Sequence, residues 1–473
     1  MGGGGGNFGV IQGLLARARG GLPSGGGSAG DLLSTPQLVN VLSDAQTDVY
    51  AEPLNIEHVP PVLDLRQVVG NRATDAGVNQ ADDDAMNFVG MLFDYILNDH
   101  NLAIPMKALI GRLQIPIVKL AVMDKSFFEK SSHPARQLLN ALSSAGIGWS
   151  SAAELKRDAV YNKIESIVLR VMNGFQEDPN IFTELLAELR KFTKADDRKR
   201  QLVEQRVKDT ETGKAKTVAA KEQVQQLINQ KASGLRLPPS VGHFVSTTWS
   251  KVLVYACITE GNESTLWQSG VEALDNLLWC MQPLQSNDEV DQRDAMTADL
   301  LQSLDTGMQQ LQMADPDRRE MLDSVCEELN SISASDRAYL ADDALPMLDE
   351  RFEPLDEIVL TAPHERTEQD YDTPAEPQFI KQIESLGEGV WVELLQDDGT
   401  RMRCKLAAII QPGDRYVFVN RRGMKVLEKS RMGLATALKA NKLTILEEAQ
   451  VFDRALQAVI GNLRSMQRTA TEQ

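Results

Sequence analysis

The sequence predicts a mainly α protein, in which a multi-helix scaffold is followed by an acidic linker and a small C-terminal β-barrel with terminal helices. Three observations carry that prediction. Leu, Ala, Gln and Glu abound while aromatic residues make up only 5% of the chain, which favours helix over sheet. Apolar residues recur at i, i+3 and i+4 through much of the first 340 positions. Beyond residue 379 the apolar period changes from 3.6 to 2, the alternation of a strand with one buried face. At 473 residues there is chain enough for several domains of roughly 100–200 residues each.

Residues 1–34 hold most of a glycine-rich stretch, with thirteen of the 33 glycines in the first thirty positions, and are expected to form a tail without structure. A helical domain is expected over 35–150. Its first part is interrupted by Pro36, Pro53, Pro60 and Pro61, and its strongest helix is "DAMNFVGMLFDYILND", with Met86, Phe88, Val89, Leu92, Phe93, Ile96 and Leu97 on one face. Pro116 predicts a break just before it, and "SSHPARQLLNALSSAG" offers a cap at Ser132, a first-turn proline and Gly146 as the stop. Over 151–236 a long-helix segment opens at Asp178–Pro179, buries Ile181, Phe182, Leu185, Leu186 and Leu189, then becomes charged and thinly apolar from 196 to 231. That stretch reads as a solvated helix or as a hairpin turning at "ETGK", 211–214. A third helical domain, 237–340, takes Trp249, Trp267 and Trp279 as core anchors.

Residues 341–378 form the expected linker: 341–377 contain twelve acidic residues, two basic residues and five prolines. The last domain, 379–473, is expected to have four strands joined by turns at Asp398–Gly399, Pro412–Gly413–Asp414 and Arg422–Gly423, followed by helices near 431–440 and 447–466.

A net charge of −18 argues against broad nucleic-acid binding and against adhesion to an anionic membrane. No apolar run reaches the ~18 residues a membrane-spanning helix needs. Cys257, Cys280, Cys326 and Cys404 have no metal-ligand spacing and read as free thiols, and with no signal-peptide pattern the expected location is the cytoplasm.

Against this acidic background, residues 379–468 carry fifteen basic and ten acidic residues. In "RMRCKL" the period of two places Arg401, Arg403 and Lys405 on one face, and Arg415, Arg421, Arg422 and Lys425 lie one hairpin away. Arginine's planar fork suits phosphate, so Arg401, Arg403, Lys405, Arg415, Arg421 and Arg422 form a candidate anion site; a merely solvated strand face is the competing reading. His133 stands beside Arg136 but has no nucleophile near it and reads as a helix cap. The acidic run at 82–84 reads as helix-start charge. There is no P-loop, GxGxxG or GxSxG element, so neither a cofactor nor an enzymatic activity is expected.

The order of "GEGVWVELL", a basic strand ending in "KLAAII", and "RYVFVNRRGMKV", together with "LQIPIVKLAVMD" and "HPARQLLNAL", resembles a bacterial family of cytoplasmic helical proteins built on a domain of unknown function and ending in a PilZ-like region. The resemblance covers the chain from about residue 85 onward. It implies a PilZ-type barrel, and with it cyclic di-GMP as a ligand. PilZ receptors carry RxxxR and D/NxSxxG motifs; Arg401 to Lys405 only approximates the first, and "NRRG" at 420–423 lacks the serine of the second. Some relatives carry a nucleoside-phosphorylase label, which no glycine-rich phosphate loop here supports.

The sequence thus points to a non-enzymatic cytoplasmic regulatory or adaptor protein whose barrel senses an anionic signal, cyclic di-GMP among them, or binds a protein partner. The competing class is a structural helical adaptor that forms homo-oligomers through 196–231; a hydrolase or transferase is a third class.

Overall fold

The computed structural model describes residues 7–18, 32–49, 55–73, 77–149, 155, 158–175, 178–284, 286–342, 353–355, 357–360, 376–411, 414–447 and 450–471. It is mostly helical, with one five-stranded antiparallel sheet near the C-terminus. The chain divides into two compact units: 1–208 with 373–409 and 416–473, and 209–372 with 410–415.

The first unit is built on α1 (Asn7–Ala18), α2 (Thr35–Val49), α3 (Leu65–Gly70), α4 (Gln80–Asn98), α5 (Ile104–Gly111), α6 (Gln114–Met123), α7 (Ser126–Glu129), α8 (Pro134–Ala145), α9 (Ala159–Gly174) and the first part of α10 (Asn180–Ala232). The seven apolar residues expected on one face of α4 are all buried. The break before Pro116 falls at Arg112–Leu113, between α5 and α6. Asn79 caps α4 by accepting from Asp82 N–H, while Asp82 pairs with Lys125 at 2.8 Å and Asp83 with Arg66 at 2.6 Å, so this acidic run is structural. The cap of α8 is His133 rather than Ser132: its Nδ1 accepts from Ala135 N–H at 3.2 Å, with Pro134 in the first turn.

Two differences from the sequence reading concern the ends. Part of the glycine-rich start is helix, not tail: α1 buries Ile11, Leu14 and Leu15 in the core, while Gly9 and Gly13 are exposed. Burial of one face at roughly 1.5–3 kcal/mol per large apolar side chain outweighs the entropic cost of the glycines. Leu32–Leu33 of that tail form β1, which pairs in parallel with β2 (Gly77–Val78), and residues 1–6 and 19–31 lie outside the described residues. The last helix, α18 (Val451–Thr471), buries Val451, Phe452, Ala455, Leu456, Val459 and Leu463 in this same N-terminal core. Asn140 accepts from Phe452 N–H at 3.0 Å, and Arg136 pairs with Asp453 and lies over the Phe452 ring.

The small domain begins at α16 (Pro377–Glu384) and contains β5 (Trp391–Leu395), β6 (Arg401–Ile410), β7 (Arg415–Val419), β8 (Lys425–Ser430), α17 (Arg431–Lys439) and β9 (Leu443–Leu446). The strand order is β8-β7-β6-β5-β9, and β5 is antiparallel to both neighbours. Thus a fifth strand, "LTIL", joins the four that were expected. The Asp398–Gly399 turn forms as expected, with Gly399 at φ +81°; Pro412–Gly413 lies outside the described residues. Val392, Leu394, Cys404, Leu406 and Phe418 pack under α16 and α17.

In the second unit, the remainder of α10 and α11 (Pro239–Phe244), a π-helical turn at Val245–Trp249, α12 (Ser250–Thr259), α13 (Thr265–Cys280), α14 (Asn287–Gln310) and α15 (Asp315–Asp342) enclose a separate core. Trp249 and Trp267 are buried in it and Trp279 is half-buried. Helix α10 runs unbroken through "ETGK", so the hairpin alternative does not form. Within the expected linker, Glu353–Pro354 pair as β4 with β3 (Arg236–Leu237), and Ile358 is buried, exchanging backbone hydrogen bonds with the Asn229 amide. Apolar Ile358 and Leu360 anchor this piece despite the acidic composition around it; residues 343–352 and 361–375 lie outside the described residues.

Candidate functional site: the charged seam and the arginine cleft

Pairing of Glu393 with Arg403, Trp391 with Lys405 and Leu395 with Arg401 puts all six side chains on one face of the sheet. Much of that face turns toward the helices of the first unit. Arg403 is 6% exposed and donates from Nε to Glu393 Oε2 at 2.9 Å, from Nη1 to the carbonyls of Asn101 at 2.8 Å and Ile147 at 3.1 Å, and from Nη2 to the His100 carbonyl at 3.0 Å. Four of its contacts are therefore internal, three to backbone carbonyls. Lys405 pairs with Glu204 of α10 at 2.6 Å, and Lys208, one turn on, pairs with Glu388 at 2.7 Å. Arg401 is 70% exposed and pairs with Glu393 at 2.7 Å. Burial pushes the Glu393 carboxyl up, but the hydrogen bonds from Arg401 and Arg403 outweigh it and hold the group below the usual range. Ile147, Trp391 and Leu446 close an apolar spot beside this seam, where the Trp391 ring lies against Gly148.

The β7–β8 turn places the next pair. Asn420 Oδ1 accepts from Arg422 N–H at 2.9 Å and Met424 N–H at 3.1 Å, and Gly423 has φ +81°. A Cβ at Gly423 would come within 3.0 Å of the Arg200 carbonyl, so glycine permits both the backbone turn and its close approach to α10. Arg421 points inward, its guanidinium 4.8 Å from the Trp149 ring centroid and its Nε 3.7 Å from Asp158 Oδ2. Asp158 is itself fixed: Oδ1 caps α9 through Val160 and Tyr161 N–H, and Oδ2 accepts from Trp149 Nε1 at 3.3 Å. Burial lowers the Arg421 pKa against the opposing pull of Asp158.

Arg421 and Arg422 line a cleft of about 440 Å³ with Lys199, Arg200, Asp158 and Asp196. Arg200 is held by Asp197 and by Glu204 at 3.6 Å. Arg421 Nη1, by contrast, is a buried donor with no hydrogen-bond acceptor among the described residues, and such a group normally finds one. Of the six cations picked out in the sequence, the structure brings Arg421 and Arg422 to this cleft, places Arg401, Arg403 and Lys405 along the seam, and leaves half-buried Arg415 at the opposite end of β7. Lys199 and Arg200 were missed because their stretch reads as a solvated helix; only the excess of positive charge in "DDRKR" hints at them.

Other candidate chemistry is structural. His133 is buried as a cap beside Asp124, and burial lowers its pKa. Burial pushes the Cys404 thiol up to about 12 and that of Cys280 up to about 11, far from a reactive thiolate. Among the described residues no group of three or more His, Cys, Asp or Glu is placed to hold a metal ion, and no helix is long and apolar enough to cross a membrane.

Three family models match the chain: "Protein of unknown function (DUF1631) 2nd domain" over residues 32–178, the third domain of the same family over 210–325, and its "C-terminal tudor domain" over 378–446. The last match describes as tudor-like the region whose resemblance implies a PilZ barrel. In the matched segment Trp391, Tyr416 and Phe418 are buried, and Phe379 packs against the sheet's core. No curated protein and no solved structure matches the chain significantly.

Proposed function

The chain belongs to the DUF1631 family, and from that premise we propose that it is a non-enzymatic cytoplasmic regulatory or adaptor protein in which the C-terminal β domain receives an anionic signal. The observation that carries this reading is a buried guanidinium donor, Arg421 Nη1, without a hydrogen-bond acceptor among the described residues, in a cleft also lined by Lys199, Arg200 and Arg422. Burying such a group unpaired costs about 1–3 kcal/mol, which an anion would recover. On this reading Arg403 and Lys405 fix the sheet on the helices, and the signal acts at Arg421 and Arg422. A ligand there meets Arg421 beside Asp158, the cap of α9, so occupancy is sensed by both the β domain and the helical body.

Cyclic di-GMP is the first ligand to test, and protein partners would read the outcome from the helical surface. The experiment is calorimetric titration of the full chain with cyclic di-GMP and with simple phosphate compounds at two salt concentrations. Saturable, salt-sensitive binding that Arg421→Gln weakens supports the reading. If none of these anions binds, it fails.

A further inference from the structure

Resting on the reading of this cleft as an anion site, we infer that its ligand is a phosphate monoester in its dianionic form, gripped between Arg200 and Arg421 and rimmed by Lys199 and Arg422. The donors come from two separate elements, α10 and the β7–β8 turn, and converge on one cavity. A tetrahedral phosphate with three terminal oxygens accepts from several such directions at once, whereas a carboxylate offers two oxygens in one plane.

The volume, about 440 Å³, lies low in the ~300–1,000 Å³ range of small-molecule sites, which suits a phosphate with a short organic group. Arg421 is also preorganised. Stacking on Trp149 and the flanking Asp158 hold the guanidinium in place, so little side-chain freedom remains to be lost on binding.

The test is calorimetric titration of the full chain with phenyl phosphate, dimethyl phosphate, cyclic di-GMP and a phosphoserine-containing peptide. Phenyl phosphate is expected to bind at least about tenfold more tightly than dimethyl phosphate, with Arg421→Gln and Arg200→Gln each weakening it by about tenfold or more. Should either buried variant misfold, Arg422→Gln and Lys199→Gln at the rim are expected to weaken binding severalfold with the fold intact. A peptide that binds more tightly than phenyl phosphate identifies a protein-borne monoester, and one that does not identifies a small molecule; both support the class. If dimethyl phosphate or cyclic di-GMP binds as tightly as phenyl phosphate or better, the monoester inference is overturned while the anion site stands. If none binds, both fall.

Discussion

Replacing Arg403 with Ala removes the group that ties the sheet to the helices of the first unit. The side chain is 6% exposed and serves one carboxylate and three backbone carbonyls. Breaking a buried ion pair by deleting one partner costs about 3–5 kcal/mol, and each carbonyl left without its donor adds to the penalty. Two features temper the sum: Glu393 keeps Arg401 at 2.7 Å, and water can reach part of the space vacated. We therefore expect a loss of about 3 kcal/mol or more in the stability of the sheet's attachment, which corresponds to roughly two decades in an opening equilibrium. Hydrogen exchange read peptide by peptide is the suitable assay, because the two units need not unfold together. Amides of 391–395 and 401–410, and of 99–103 opposite them, are expected to exchange about a hundredfold faster in the variant. Unchanged exchange there would refute the view that Arg403 is a structural tie and return it to the pool of residues open to a ligand.

Gly423→Ala meets both a positive φ and the Arg200 carbonyl 3.0 Å away, so a loss of about 1–3 kcal/mol and weaker anion binding are expected, measured by urea unfolding and calorimetry. Gly148→Ala puts a methyl 2.3 Å from the Trp391 ring and is expected to alter the near-ultraviolet dichroism of that tryptophan, whereas Gly387→Ala, with open space around it, leaves the spectrum unchanged. The folded-state pKa of His133 is lowered mainly by burial; that of Asp124 is lowered because bonds from Ser126 and His133 outweigh its burial. In both cases the unfolded chain binds more protons, so stability is present above the unfolded pKa and lost as pH falls: for His133 below about 6.5, for Asp124 below about 3.9. Thermal midpoints between about pH 7.5 and 5.5 are expected to decline less in His133→Asn, which keeps a capping oxygen but does not titrate; an identical decline would contradict the assignment.

The helices were legible where a wide apolar stripe met clear punctuation, as in α4 and at the Pro116 break. Two errors came from trusting local composition over distant packing. Gly9 and Gly13 hid α1 because they occupy its exposed face, and the acidic surroundings of Ile358 hid an anchored segment. The four-residue strand β9 is too short to show a period, and only its pairing with β5 defines it. The alternation in "RMRCKL" did place Arg401, Arg403 and Lys405 on one face. It could not say what covers that face, because Glu204 and the carbonyls at 100, 101 and 147 lie some two to three hundred positions away. The cleft was half visible for the same reason: Arg421 and Arg422 stood out in a turn, while Lys199 and Arg200 looked like any solvated helix.

Hydrogen exchange of the full chain with and without saturating phenyl phosphate tests the central claim most directly. The account predicts slower exchange in peptides covering 196–204 and 420–424 and at the start of α9, near 158–161, with Arg421→Gln abolishing all three effects. Binding that leaves these segments unchanged and protects another surface would contradict it.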